Sequence, residues 1–306
     1  MSYHLPAMLN AAVDGLRLRP GGVYVDATYG GGGHSGEILN RLEGGRLIAF
    51  DQDSDALENA TADPRLILLN QNFRFLRNNL LYHGFKEVNG ILADLGVSFH
   101  QFDTMSRGFS FRGEGPLDMR MNRESDIKAS DIVNNYSEEQ LASLFYRYGD
   151  IRCARPLAAA VVSARKQAPL TTVSQLVRVA TPFLPQRRES KFLAQMFQAI
   201  RIEVNRELDA LTDLLEQACE MLAEGGRLVV ITYHSAEDRL VKNFMRSGTF
   251  DGVVKTDFYG NRLAPFRSVT RGALRPESDE VAANPRSRSA RMRIAEKRSD
   301  YEKREA

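Results

Sequence analysis

The chain has little of several things, and each shortage narrows what it can be. Only two cysteines occur among 306 residues, Cys153 and Cys219, each alone in helix-like surroundings. Two isolated thiols make neither a metal-binding spacing nor a disulfide framework, so the expected setting is a reducing cytoplasm. No apolar run approaches the roughly 18 residues of a membrane span, and the first residues lack a secretory-signal pattern. Net charge is nearly absent: 41 Lys and Arg against 39 Asp and Glu leave +2, which does not by itself announce nucleic acid. From 101 to about 206 there is no convincing strand pattern either. What remains, 43% apolar and 26% charged residues, is an ordinary globular composition, long enough for one large domain or two modest ones.

The most informative stretch is Val23-Tyr-Val-Asp-Ala-Thr-Tyr-Gly-Gly-Gly-Gly-His-Ser-Gly36. Residues 23 to 29 read as a strand, Gly30 to Gly33 as a sharp turn that brings backbone close to a ligand, and 34 to 42 as a helix. Gly31-x-Gly33-x-x-Gly36 fits the nucleotide-binding spacing, which is weak evidence alone. Arg46-Leu-Ile-Ala-Phe-Asp51 then reads as a second strand ending on an acid, 19 positions after Gly32. Such an acid is placed to accept both ribose hydroxyls of a nucleoside cofactor. Asp26, just ahead of the glycines, would repel a pyrophosphate but attract a sulfonium or ammonium. That favours S-adenosylmethionine over NAD. The plainer alternative is a structural turn with Asp26 capping something local.

Further strand–helix alternation follows. A helix is expected over 53–62, a strand over 65–70, a helix over 75–84 and a strand over 88–96, after a lead-in helix within 1–20. The expected fold class is α/β, a doubly wound, mostly parallel sheet with ligands at the carboxyl ends of its strands. Asp26, Asp51, Phe73 and Asp94 fall at those ends, where Phe73 would stack on an adenine or simply fill core. Helices are expected over 137–148, 151–166 and 172–183 in an inserted helical domain, then a long helix over 197–223. A strand over 227–233, a helix over 237–246 and strands over 253–258 and 290–295 complete the pattern.

Three stretches could carry chemistry. Asp94-Leu-Gly-Val-Ser-Phe-His-Gln101 leaves strand four, where Asp94 could accept protons from an exocyclic amine whose lone pair is delocalised into its ring. Arg107, Phe109, Phe111, Arg112 and Arg120 interleave with glycines, as in loops that stack bases and hold phosphates, or in a packed structural loop. In Tyr233-His-Ser-Ala-Glu-Asp-Arg239, Ser235 with Asp238 resembles a helix cap, and His234 faces the cleft. Late arginines, Arg262 to Arg293, fit either a phosphate footprint or a solvated, salt-bridged face.

Taken together, several motifs in order resemble the MraW/RsmH family of bacterial small-subunit rRNA methyltransferases. They are Asp26-Ala-Thr-Tyr-Gly-Gly-Gly-Gly-His-Ser35, Asp94-Leu-Gly-Val-Ser98 with Gln101 and Asp103, Arg107-Gly-Phe-Ser-Phe111 and Gly115-Pro-Leu-Asp-Met-Arg-Met121. Phe197-Gln-Ala-Ile-Arg-Ile202, His234-Ser235 with Glu237-Asp-Arg239, and Asn284-Pro-Arg-Ser-Arg-Ser-Ala290 continue the match along nearly the whole chain. The resemblance implies a class I S-adenosylmethionine-dependent methyltransferase with a seven-stranded Rossmann-like sheet. The sheet domain would span 1–104 and 207–306, and an all-helical substrate-recognition insert 105–206. It implies methylation of N4 of cytidine 1402 (rRNA numbering) in the decoding centre of 16S rRNA, within the 30S subunit. A homodimer is left open, and no metal or membrane is implied.

By motif position, the resemblance implies cofactor contacts at Gly32, Gly33, His34, Asp51, Phe73, Asp94 and Gln101; the catalytic amine acceptor expected at Asp94 comes from its place at the end of strand four, not from the resemblance. The chain departs from the family where Phe99 and Phe102 stand for Ser and Leu, and Ala236 for Leu. Lys191 to Met196 also replaces a His-Pro-Ala-Thr-Arg segment. Two other readings stand beside this one: an NAD-dependent oxidoreductase, and an assembly factor that binds RNA and cofactor without turnover.

Overall fold

The computed structural model describes residues 6–58, 60–260 and 262–299. The chain opens with α1 (Leu9–Leu16), which buries Ala12, Val13 and Leu16; residues 1–5 of the expected lead-in helix lie outside the described residues. β1 (Val23–Asp26), α2 (Gly33–Arg41), β2 (Arg46–Phe50), α3 (Ser54–Leu57), β3 (Leu66–Leu69), α4 (Leu76–Tyr82) and β4 (Val88–Asp94) follow. The expected helix over 53–62 is a single turn, and its position 59 lies outside the described residues. A helical stretch comes next: α5 (Phe99–Asp103), α6 (Ala129–Asn135), α7 (Glu138–Gly149), α8 (Ala154–Arg165), α9 (Val173–Ala180) and α10 (Glu189–Asn205). The chain then returns to alternation with α11 (Glu207–Met221), β5 (Leu222–Thr232), α12 (Ser235–Ser247), β6 (Phe266–Ser268), α13 (Ser278–Ala283) and β7 (Arg291–Lys297).

Among the described residues seven strands form one sheet, in the order β3-β2-β1-β4-β5-β7-β6. The pairings from β3 to β5 are parallel, and β7 runs antiparallel to both β5 and β6. This is the class I methyltransferase arrangement. The apolar runs of β2 and β4 are buried on both faces, because helices cover both sides of a parallel sheet. One face packs Val25, Ile48, Ile91 and Val230 against Leu211, Leu214 and Leu215 of α11. The other packs Tyr24, Leu47, Leu92 and Val229 against Ala12 and Leu16 of α1 and Ile38 of α2. Strand order reverses between β1 and β4, and the crevice at that switch point is where such sheets take ligands.

The chain divides into two compact units: residues up to Gly96 with those from Leu208, and Val97–Glu207. The second unit has its own core, with Leu141, Phe145, Leu157, Val161, Leu176, Met196 and Ile200 buried. Truncating any of its larger aliphatics to Ala would cost about 2–5 kcal/mol.

Two further expected elements differ, and one helix was not expected. The long helix over 197–223 is two helices, broken at Arg206, whose φ is 48°. Asn205 fixes that break by accepting from Met121 N at 2.7 Å and donating to Met119 O at 2.8 Å. The strand expected over 253–258 is absent; Val253 and Phe258 are exposed there, so the apolar residues had no neighbouring strand to bury them. The edge strand is instead β6, anchored by buried Phe266, whose ring lies 6.2 Å from that of Phe244. Helix α6 was not expected, because its seven residues are too few for a clear period. Among the described residues no helix is long and apolar enough to cross a membrane.

Candidate functional site

The glycine turn follows β1 directly. Gly30 (φ 54°) and Gly32 (φ 75°) adopt the left-handed region that side chains disfavour. A Cβ on Gly32 would stand 2.7 Å from the Tyr29 hydroxyl, whereas one on Gly30 would meet only the Thr28 carbonyl oxygen, at 4.0 Å. Gly33 begins α2 and leaves room for Pro6, which a Cβ would approach to 2.8 Å. Gly30 N donates to Asp51 Oδ2 at 2.8 Å, so the glycine turn and the acid after β2 are joined.

Asp51 Oδ1 accepts from Asp53 N at 2.8 Å. Burial pushes the Asp51 carboxyl up to about 6, against the two backbone donors, with Asp53 and Asp26 adding repulsion. Phe73 sits half-buried just past β3, against the sheet core. Asn72 caps the turn that carries it by accepting from Arg74 N, and donates to Gln52 Oε1 at 2.8 Å.

Asp94 stands at the end of β4. Its Oδ1 accepts from the Tyr233 hydroxyl at 2.8 Å, its Oδ2 lies 3.8 Å from His34 Nδ1, and its N–H donates to Thr28 Oγ1 at 2.7 Å. Burial raises its carboxyl to about 6, partly offset by His34 and by the Tyr233 hydrogen bond. Tyr233 is raised well above its ordinary value, first by burial and then by the Asp94 charge. It therefore stays a protonated donor. His34 is buried, with Nε2 3.2 Å from the Ala7 carbonyl.

Gly32, Gly33, His34, Asp51, Phe73 and Asp94 thus belong to the sheet unit, around the carboxyl ends of β1 to β4. Gln101 belongs to the helical unit, buried in α5. There its Oε1 accepts from Ser98 N and its N–H donates to Ser98 Oγ, both at 3.1 Å, closing a capping box.

Residues 1–298 match the MraW methylase family. The chain belongs to that family. It is 52% identical over 299 residues to "Ribosomal RNA small subunit methyltransferase H" of Bacteroides thetaiotaomicron, covering 97% of this chain and 98% of that one. Its identity to the protein of the same name from Parabacteroides distasonis is 54% over 297 residues, covering 96% and 97%. The Flavobacterium johnsoniae protein of that name is 51% identical over 298 residues, covering 97% and 98%.

Several side chains in this family member have structural employment instead. Asp26 is fully buried, its Oδ2 accepting from Ser35 Oγ at 2.7 Å and its Oδ1 from Thr28 N at 3.1 Å. Its contribution to the site is a through-space negative charge that raises both Asp51 and Asp94. Arg107 is buried, donating to the Arg120 and Met121 carbonyls at 3.0 Å each, and its guanidinium lies 5.9 Å from the Phe109 ring centre. Arg120 holds Asp118 through two contacts of 2.8 Å. For these residues the packed loop is the right description. The cap of α12 is formed by His234 and Glu237 rather than Ser235 and Asp238. Asp238 instead grips Arg293 at 2.8 Å and Arg291 at 3.2 Å.

The residue that sequence reasoning missed is Tyr233. An aromatic one position beyond β5 was legible as a strand-end residue, but its hydroxyl partner depends on β4 and β5 being neighbours, with Asp94 opposite Ile231.

Proposed function

We propose that the chain transfers a methyl group from S-adenosylmethionine to 16S rRNA of the small ribosomal subunit, at N4 of cytidine 1402 in the decoding centre. The observation that carries this reading is the meeting of Gly30, Asp51, Asp94, His34 and Tyr233 at the carboxyl ends of neighbouring strands, together with family membership. The residues fit the cofactor. Each Asp51 oxygen accepts a backbone N–H and keeps a lone pair suited to a ribose hydroxyl. Phe73 at the next strand end offers a ring face to an adenine, and Gly32 and Gly33 let backbone approach. A pyrophosphate would instead meet Asp51, Asp94 and the buried charge of Asp26, which disfavours a dinucleotide.

When bound, S-adenosylmethionine supplies an electrophilic methyl on a sulfonium. Asp94 accepts a hydrogen bond from the N4 amine, drawing the nitrogen lone pair out of conjugation and into line with that methyl. Once the nitrogen carries the methyl group, Asp94 would take the surplus amine proton and release it to solvent. Tyr233 and His34 hold the carboxylate in place from either side. His34, Gly32, Gly33 and Gln101 complete the proposed cofactor contacts, and the helical unit contributes to RNA docking.

The test is methyl transfer from labelled S-adenosylmethionine to small subunits lacking the modification, followed by nucleoside mass spectrometry. N4-methylcytidine at the decoding site is the expected product. Label on another nucleoside would overturn the target, and cofactor binding without label would leave an RNA-binding assembly factor.

A further inference from the structure

A cavity of about 270 Å³ opens beyond the end of β5, in the sheet unit. Tyr233, His234 and Ser235 line one side, and Arg275, Arg288 and Arg291 the other; none of its lining residues carries a carboxylate. The three arginines come from separate segments: Arg275 precedes α13, Arg288 sits in the turn Pro285–Ser289, and Arg291 opens β7. Arg291 shares Asp238 with Arg293, which makes the shorter contact. Arg275 and Arg288 are exposed and make no ion pair or hydrogen bond through their side chains among the described residues. His234 adds a buried polar edge. Its side chain is 7% exposed, with Glu237 Oε1 3.1 Å from Nε2, yet that nitrogen completes no hydrogen bond.

Arg275 and Arg288, without an acid partner among the described residues, repel one another in one hollow beside the Asp238-paired Arg291, and an anion relieves that repulsion. Their planar forks match a phosphate, which accepts paired donors from more than one side. Position narrows the choice of anion. Tyr233 forms one wall of the cavity, and its hydroxyl holds Asp94 at 2.8 Å. We propose that this cavity is a phosphodiester subsite for the RNA substrate, held chiefly by Arg275 and Arg288, which fixes the backbone next to the nucleotide presented to Asp94. This rests on the rRNA-methylation reading above.

The test compares wild-type protein with the Arg275→Ala/Arg288→Ala and Arg275→Lys/Arg288→Lys double variants, using unmodified small subunits. The alanine pair should raise KM for subunits about tenfold and lower the slope of log affinity against log salt by about one. S-adenosylmethionine affinity and kcat at saturating subunits should stay within about threefold, and the lysine pair should recover part of the loss. An unchanged KM and salt slope in the folded alanine variant would overturn the subsite. Inorganic phosphate provides a second arm. Phosphate-dependent thermal stabilisation that is lost in the alanine variant, with subunit KM unmoved, would reassign the cavity to a free anion and also overturn it. Wild-type protein that methylates no RNA would instead strike the underlying reading, and the subsite with it.

Discussion

The Tyr233 hydroxyl donates to Asp94 Oδ1 at 2.8 Å, linking the ends of two neighbouring parallel strands. Burial disfavours the Asp94 charge and the Tyr233 proton opposes that effect, so the carboxyl settles at about 6 instead of higher. A carboxylate poised near neutrality is a better proton acceptor than one held far below it, while remaining ionised at working pH.

Replacing Tyr233 with Phe removes a donor to the charged form of Asp94, so that carboxyl should rise further. Turnover should fall as pH drops through about 6 in the wild type, and in Tyr233→Phe the same fall should occur at higher pH. A hydrogen bond to a charged group contributes about 1.5–3 kcal/mol, which through the smaller ionised fraction of Asp94 lowers the rate at pH 7 by roughly 2–15-fold. A kcat profile between pH 5 and 9 checks this. An unmoved acidic limb would dissociate Tyr233 from the acceptor.

Asp51 and Asp94 also make stability depend on pH. Both carboxyls stand at about 6 in the folded chain, above the ordinary value of about 4 in an unfolded one. Their contribution is therefore fully present below about pH 4 and lost as pH rises through 6. Asp63, held down to about 2 by Arg65, works the other way, but only at pH values below that window. The cofactor-free protein should melt a few degrees higher at pH 5.5 than at pH 8, and saturating S-adenosylmethionine should flatten the difference. Differential scanning calorimetry across that range would reveal a slope of the wrong sign.

The sheet was legible in the sequence because burial on both faces demands continuous apolar runs, and residues 47–50 and 91–93 supply them. Asp51 and Asp94 were legible because strand-end acids stand out after such runs. What could not be read depends on three-dimensional neighbours. The short edge strand β6 owes its place to Phe266 and to pairing with β7, not to any alternation of its own. Arg107 could be read as an RNA contact or as part of a packed loop, because arginine between aromatics has the same composition whether it faces solvent or carbonyls. Only the fold brings the Arg120 and Met121 carbonyls to it.

That distinction has a measurable consequence. Arg107→Ala would leave two carbonyls without their donor and a hole beside Phe109, lowering stability by about 2–4 kcal/mol. Arg112, exposed and 5.7 Å from the Phe111 ring centre, should change stability by less than about 1 kcal/mol when replaced by Ala. Urea denaturation of both variants tests the ranking. An Arg107→Ala protein of full stability but weakened subunit binding would restore the RNA-contact role.

The glycine spacing separates in the same way. Gly32→Ala must accommodate φ 75° and a contact of 2.7 Å with the Tyr29 hydroxyl, so it should destabilise by about 1–3 kcal/mol and weaken cofactor binding. Gly36, on α2 with nothing within 4 Å of where a Cβ would stand, should accept Ala with a gain of up to about 1 kcal/mol. Thermal melts and calorimetric titration with S-adenosylmethionine read both effects. A Gly36→Ala variant as damaged as Gly32→Ala would show that the third glycine of the motif serves the ligand after all.

Asp94 carries the most demanding prediction because two roles are assigned to it. Asp94→Asn keeps the size and an oxygen for Tyr233 but has no charge and cannot take a proton; Asp94→Ala loses the size and the oxygen as well. If the carboxylate removes the amine proton, both variants should lose about 10²–10⁴ in kcat. Their affinity for S-adenosylmethionine should fall far less, by the share of sulfonium or ammonium attraction that the charge supplies. If the residue only orients the amine, Asn should keep most of the rate while Ala loses it. Full turnover in Asp94→Ala with normal cofactor affinity would leave no chemical role for the carboxyl. Single-turnover methyl transfer separates these outcomes, because it reports the chemical step without product release, and cofactor affinity measured alongside shows how much of any loss is binding.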